Sequence, residues 1–444
     1  MVEIVERAVL DVATGESKNK WNGELSHPID MNGSFDITLS YEGKSAEEEI
    51  LSTEPARIRL LWQNNPDATN QNRLYYGDNL PILAALMQHT TIMGKVQIVY
   101  IDPPFSTNSV FRSRSQKDAY ADLLVGSQYV EFIRQRMIFL RELLADDGSI
   151  YVHLDGNMVF QVKIIMDEIF GRTNFRNLIT RRKSNPKNYT RKTYGNISDY
   201  LLFYTKSDTY VWNRAYEPWT PERAAKEYQY VEEGSGRRYK KVPVHAPGER
   251  NGETGKPWRG MAPPPGKHWQ YPPQTLDEMD ARGEIYWSPS GNPRRKVYLD
   301  QSDGIPVQDI WRDVRDAHNQ NIKITGYPTE KPVKLLDRIV QASSNPGTLV
   351  LDCFSGSGTT LAVASQLGRN WIGIDNSVEA IKTTLQRFRT GLKPMGDYVQ
   401  KRQLPQTLPL FDLDEGTITD FALYAAEPYG NDLDEIIRDW QTAF

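Results

Sequence analysis

The sequence predicts an α/β fold: a doubly wound, mainly parallel sheet that carries a large insertion. Three observations predict it. Short apolar runs alternate with amphipathic helical stretches from residue 74 to residue 206. That rhythm stops across residues 208–320, which are rich in Pro, Gly, Trp, Tyr and Arg, and it resumes at residue 332. A repeated βαβ pattern implies a parallel sheet with helices on both faces. An unbroken loop of the insertion's length is improbable inside a compact sheet, so the insertion reads as a separate module.

The elements follow in order. Residues 1–70 form an extension of irregular character, in which Phe35, Ile37, Leu39 and Tyr41 alternate with polar residues as in a short strand. Residues 71–207 form the first half of the α/β domain. Leu74–Gly77 predicts a strand and Leu80–Gln88 a helix. Val96–Ile101, almost wholly apolar, predicts a buried strand. Tyr129–Ala145 carries Val130, Ile133, Met137, Leu140 and Leu144 on one helical face. The Asp147-Gly148 turn leads into a strand over Ser149–Leu154. A helix over Met158–Phe170 stops at Gly171, and Asp199–Lys206 predicts a further strand. After the insertion, residues 321–390 supply the second half. Helices are predicted over Pro332–Ala342, Thr359–Leu367 and Val378–Phe388, and strands over Thr348–Asp352 and Trp371–Asp375. Residues 391–444 read as an acidic tail.

Composition narrows the function classes. The single cysteine, Cys353, excludes an internal disulfide and fits a reducing, cytoplasmic compartment. The six histidines lack ligand spacing, so no metal site is expected. No apolar run of about 18 residues predicts a membrane span, and the N-terminus does not read as a signal peptide. The net charge is −4, but charge is segregated. Arg176–Lys192 holds seven bases and no acid, whereas Phe411–Phe444 holds nine acids and one base, Arg438. A basic face is therefore hidden by the average, and steering depends on local fields.

Two motifs carry chemistry. Asp102-Pro103-Pro104-Phe105 follows the buried strand Val96–Ile101 directly. Ligands of doubly wound sheets sit beyond the carboxyl ends of strands. The prolines stiffen the loop and donate no backbone hydrogen bonds, which leaves the Asp102 carboxylate and the Pro103 carbonyl as acceptors. Phe105 offers a flat apolar face. The second motif, Asp352-Cys353-Phe354-Ser355-Gly356-Ser357-Gly358-Thr359-Thr360, links a buried strand to a helix. Glycines there permit close approach of backbone to a ligand. Asp375, at the end of the next strand, suits the two hydroxyls of a ribose. Together these predict a site for an adenosine-containing cofactor. The spacing matches neither the dinucleotide fingerprint nor an NTP-binding loop.

This pair of motifs, in this order and so placed, resembles the β class of amino-methyltransferases from bacterial restriction–modification systems, adenine-N6 type. The resemblance covers roughly residues 70–390 and extends to type III modification subunits. It implies a Rossmann-like fold dependent on S-adenosylmethionine (SAM), with the insertion as a target-recognition module. Asp102, Pro103, Pro104 and Phe105 become the catalytic residues. Gly77-Asp78-Asn79-Leu80 resembles the family segment whose acid meets the adenine amine of SAM. Thr329-Glu330-Lys331-Pro332 resembles its Thr-x-Lys-Pro cofactor motif. Phe354, Gly356 and Gly358 are then expected along the methionine part, flanked by Asp352 and Thr359, with Asp375 at the ribose. A motif that begins with Asp favours adenine N6 over cytosine N4.

Such an enzyme flips its target base from duplex DNA. Two acceptors, each holding one N–H of the amine, localise its lone pair, and the carboxylate stabilises the positive charge that develops. Arg181, Arg182, Lys183 and Lys187 are expected on phosphates, with Arg294 and Arg295 also on DNA. Trp258, Arg259, His268, Trp269 and Lys296 are candidates for reading base edges, and Ser106–Ser127 for a loop that closes over DNA. Double-stranded DNA is the expected partner; a homodimer and a restriction-endonuclease subunit stay open, as does a non-catalytic recognition subunit. Cytosine-C5 chemistry needs a cysteine nucleophile, and Cys353 lies in the cofactor motif.

Overall fold

Leu351 lies opposite Val99 in neighbouring parallel strands, although 252 residues separate them in the chain. This pairing places the two motif loops side by side. The computed structural model describes residues 37–64, 72–104, 110–112, 118–121, 126–186, 192–316, 330–390 and 418–441. These residues divide between two compact units, Tyr216–Val307 and the rest of the chain.

The larger unit is built on a ten-stranded sheet. In chain order its strands are β1 Ile58–Gln63, β2 Arg73–Tyr76, β3 Val96–Ile101, β4 Leu144–Leu154, β5 Phe175–Arg182 and β6 Ser198–Thr205. The smaller unit contributes β7 Tyr230–Val231, β8 Arg238–Pro243, β9 Ile285–Trp287 and β10 Pro293–Tyr298 to a sheet of its own. The large sheet resumes with β11 Ile310–Trp311, β12 Leu349–Asp352, β13 Asn370–Asp375 and β14 Ala422–Ala426. Its order is β1-β14-β2-β13-β12-β3-β4-β6-β5-β11. Only β1 and β6 run against the others.

Every residue of β3 is buried. Its amide side chain, Gln97, donates to the Asp147 carbonyl at 3.0 Å, so the apolar run carries no unsatisfied amide. From β3 the chain moves outward to β4, and from β12 it moves the other way to β13. The crevice for a ligand in such a sheet opens where the order reverses. Helices α1 Asn79–Met87, α2 Ser127–Leu143, α3 Val159–Phe170, α5 Val333–Ser343, α6 Thr359–Gln366 and α7 Val378–Thr390 accompany the strands. The predicted stripe on α2 is buried at Val130, Ile133, Met137 and Leu140. No helix among the described residues is long and apolar enough to cross a membrane.

Three expectations change. Residues 37–41 form no strand. Instead the Leu39 N–H donates to Glu168 of α3 at 2.5 Å, a backbone bond that a neighbouring strand would have taken, and the Tyr41 hydroxyl donates to Glu131 of α2 at 2.5 Å. The extension does supply a strand, but it is β1. The acidic tail also enters the sheet: β14 lies between β1 and β2, and Ala422, Leu423, Ala425 and Ala426 are buried. Its charges lie outside that apolar five-residue run, so the average charge concealed the strand.

In the smaller unit the insertion is ordered. β7-β8-β10-β9 form its sheet, and α4 Pro273–Ala281 packs Leu276 and Met279 against Val244, Trp258, Trp269 and Ile285.

Candidate functional site

Asp102 closes β3 with its carboxylate partly buried; Pro103 is buried and Pro104 half-buried. Phe105 lies outside the described residues, as do Thr329 and Lys187. The Lys331 ammonium, immediately before the Pro332 cap of α5, pairs with Asp102 Oδ2. Lys331 was expected at the cofactor; here its ammonium pairs with the Asp102 carboxylate. Its neighbour Glu330 pairs with Arg387 of α7, and Arg387 Nε donates to the Ser357 carbonyl at 2.7 Å. These bonds bring three distant segments together: Asp102, Lys331 and the glycine loop.

Within the glycine loop, Asp352 and Thr359 are held by contacts within the loop itself. Asp352 is 2% exposed and accepts from the Phe354 N–H at 3.0 Å and the Thr360 hydroxyl at 2.6 Å. Burial pushes its carboxyl up to about 7. Thr359 is buried, 3.2 Å from the Ser357 hydroxyl. Their place in the motif reflects turn geometry. Gly358 has φ +70°, and a Cβ there would lie 2.7 Å from the Thr384 side chain. Its freedom is thus needed by the packing of α7 against the loop. Gly356, with φ +50°, donates its N–H to Asp375 at 2.8 Å, and Ser377 N–H donates to the other oxygen at 3.0 Å. Burial raises the Asp375 carboxyl to about 6 against these bonds.

The Asp78 carboxylate caps α1 through the Leu80 N–H at 3.1 Å and remains half-exposed beside Arg136, 3.2 Å away. Asn79 is buried: its amide donates to the Cys353 carbonyl at 2.7 Å and accepts from Arg136 Nε at 2.6 Å. Arg136 stacks over Phe132, whose ring lies 6.0 Å from that of Phe354. Burial lowers the guanidinium to about 10 despite Asp78. Sequence reasoning missed Phe132 and Arg136. Their only signal was an aromatic and a cation four residues apart on a helix.

It also missed a cluster beneath Asp102. His153 of β4 is fully buried. Nδ1 is 2.9 Å from the Tyr100 hydroxyl and 3.9 Å from Asp102 Oδ1, and Nε2 is 2.9 Å from Asp199 Oδ2. The signal was a histidine inside the apolar run Ile150–Leu154. Arg181 completes the cluster, which corrects its expected role. It is 1% exposed, and its guanidinium donates to Asp199 at 2.8 and 2.6 Å, to Asp316 at 2.7 Å and to the Val314 carbonyl at 3.2 Å. Four donors so committed leave no reach to a phosphate.

Arg182 and Lys183 follow at the end of β5, both partly exposed. Arg182 bonds the Ser184 carbonyl and Asn185 amide oxygen, each at 3.2 Å. In the smaller unit Arg294 is exposed, while Arg295 is half-buried against Tyr271, whose hydroxyl accepts at 2.6 Å. Trp258, Trp269 and His268 are buried and do not reach a base edge. The first two form that unit's core, because a small module has few other large apolar side chains to bury.

A family model described as DNA methylase (N6/N4 type) matches residues 96–386. The chain is 46% identical over 400 residues to the type II methyltransferase M.EcaI of Enterobacter cloacae, an alignment covering 88% of this chain and 87% of that one. It is 27% identical over 339 residues to the StyLTI Mod subunit of a type III restriction–modification enzyme from Salmonella typhimurium (strain LT2), covering 67% of this chain and 51% of that subunit. Among solved structures, a putative DNA modification methylase of Thermus thermophilus, complexed with S-adenosyl-L-methionine, aligns at a TM-score of 0.40. It is 14% identical and covers 81% of this chain and 100% of that one.

Proposed function

Because the chain belongs to the N6/N4 DNA methylase family, and so is a DNA methyltransferase that draws its methyl group from SAM, we propose that it methylates the N6 amine of adenine in duplex DNA. The observation that supports this reading is the adjacency of the Asp102-Pro103 loop, at the end of β3, and the glycine loop, at the end of β12.

The residues present fit the cofactor. Asp375 meets the backbone N–H groups of Gly356, Ser377 and Asn376, and a carboxylate has roughly four acceptor sites, so a ribose hydroxyl can share it. The Asp78 carboxylate is open to an adenine amine. The Phe354 face and Gly356 backbone suit the methionine part, and the buried Ser355 hydroxyl has no partner among the described residues. When bound, SAM supplies an electrophilic methyl on a sulfonium. The chain supplies the rest. Asp102 and the Pro103 carbonyl each accept one N–H of the flipped amine, Phe105 stacks on its ring, and the carboxylate stabilises the charge that develops as nitrogen becomes tetrahedral. Rate is gained by positioning. The amine must take Lys331's place at Oδ2, exchanging one positively polarised N–H donor for another.

Arg182, Lys183 and Lys187 hold phosphates in this reading. β5 runs parallel to β3, so its end lies on the same sheet edge as Asp102. The smaller unit, with Arg294 exposed and Arg295 beside it, serves target recognition. The test is to map modified bases in DNA from cells expressing the chain and its Asp102→Ala variant. N6-methyladenine at a defined site is expected with the parent chain, and a loss of about 10²–10³-fold or more with the variant. SAM affinity should be kept. N4-methylcytosine at that site would overturn the adenine assignment, and an active variant would overturn the role of Asp102.

A further inference from the structure

The mechanism leaves one buried cluster unused. His153 stands between two carboxylates, Asp102 on one side and Asp199 on the other. Asp102 Oδ1 is buried without a hydrogen-bond partner among the described residues, while Oδ2 holds Lys331. Asp199 is in turn fixed by both arms of Arg181. Burying His153, Asp199 and Arg181 beneath the partly buried Asp102 carries a desolvation cost for each charge, and packing alone would be met by apolar residues. An acid–imidazole–acid line whose first acid faces the reacting amine is an arrangement for moving a proton.

We propose that His153 receives the proton that the target amine sheds on methylation, through the Asp102 carboxylate, and that Asp199 and Arg181 hold the ring for that task. The inference rests on the amino-methylation reading above but not on which base carries the amine. As the nitrogen–methyl bond forms and the sulfonium carbon–sulfur bond breaks, the nitrogen becomes cationic. Its N–H bond breaks toward Asp102, forming O–H on Oδ2. Rotation of the carboxyl group turns that O–H toward His153 Nδ1, which takes the proton, and the imidazolium so formed lies between Asp102 and Asp199, both carboxylates. The gap between Oδ1 and Nδ1 is 3.9 Å, and catalytic contacts in ligand-free structures are commonly longer than in the reacting complex.

The tautomer suits this task. Nε2 lies 2.9 Å from Asp199 Oδ2 without the alignment of a hydrogen bond, and the nearby carboxylate favours the proton on Nε2, which leaves Nδ1 as a lone pair 2.9 Å from the Tyr100 hydroxyl. The groups that face the ring are Asp199 from β6, Asp102 and Tyr100 from β3 and its loop, and Lys331 ahead of α5; Arg181 of β5 acts behind Asp199. Burial lowers the His153 pKa, with Lys331 adding to it and the two acids opposing it. The ring is therefore neutral near pH 7, and Nδ1 can accept once the Tyr100 hydroxyl turns away from it. His153 does not touch the base, so it is a positioning residue that acts through Asp102.

The test is the single-turnover methylation rate against pH, for full-length chain with duplex DNA and tritiated SAM. In the parent chain the rate should fall at low pH, where His153 is already protonated. His153→Gln keeps a donor for Asp199 but takes no proton. It should lower the rate about tenfold or more and lose that acid limb, with SAM and DNA affinities within about threefold. An unchanged rate, or a lower rate with the same acid limb, would overturn the proposal. If the glutamine variant fails to fold, Tyr100→Phe decides. Loss of the hydroxyl frees Nδ1, so the acid limb should move to higher pH, and a limb that does not move overturns the relay. A methyl group found on cytosine would refute the adenine reading while leaving this test intact.

Discussion

The glycine loop and the floor beneath Asp102 both bury carboxylates, yet they hold them by different means. In the loop, Asp352 and Asp375 face backbone N–H groups and a hydroxyl. In the floor, Asp199 faces a whole charge, Arg181, with the His153 ring beside it. Dipoles offset only part of the desolvation, so the loop acids titrate near neutrality, at about 7 and about 6. Burial alone would raise Asp199 too, but His153 and Arg181 hold it well below the usual carboxylate range. The difference teaches that a charge-paired floor is rigid and intolerant of losing a member, whereas the loop keeps acids that respond to pH.

The harshest way to break this contrast is Arg181→Ala. Removing one member of a buried pair leaves an uncompensated charge and costs about 3–5 kcal/mol. Thermal unfolding should show a drop of several degrees, and a drop under about one degree would mean that the floor is not held by charge. The loss should shrink as pH falls and Asp199 takes a proton. The sign follows from linkage: Asp199 has a depressed folded pKa, so its stabilisation is present above the unfolded value near 4 and is lost below it.

Asp375 sharpens the comparison from the other side. If its carboxylate binds the ribose hydroxyls, protonation removes the stronger acceptor. With a value of about 6, about one molecule in eleven is ionised at pH 5. SAM affinity, read by calorimetry, should then weaken about tenfold between pH 7.5 and pH 5, and Asp375→Asn should bind weakly with a flatter profile. An affinity of the parent chain independent of pH over that range would separate Asp375 from the cofactor.

How much of this was legible in the sequence depends on whether a residue's role is local. Asp102 and Gly356 could be read because a strand end and a turn are local events, and periodicity marks both. β12 beside β3 was implied by the rule for doubly wound sheets. Lys331 on Asp102 was not legible, since 229 residues separate them and nothing nearby marks the pairing. The Arg181–Asp199 pair was misread for the same reason. A run of bases looks solvated until the strand register puts Arg181 opposite Asp199. β14 was hidden because acids surround five apolar residues, and Trp258 and Trp269 because the chemistry that suits a base edge also suits a core.

The smallest effect expected is the one that separates neighbours. Arg181 and Arg182 are adjacent in sequence, and alternation along β5 sends their side chains to opposite faces. Arg182 spends its bonds on two weak local acceptors at 3.2 Å, so Arg182→Ala should change stability by less than about 0.5 kcal/mol. If it meets a phosphate, the plot of log affinity for duplex DNA against log salt should flatten by about one unit, with binding weakened evenly across sequences. An unchanged slope would remove Arg182 from the DNA face. A large loss of stability would show instead that the rim, like the floor under Asp102, is built from charge that the fold requires.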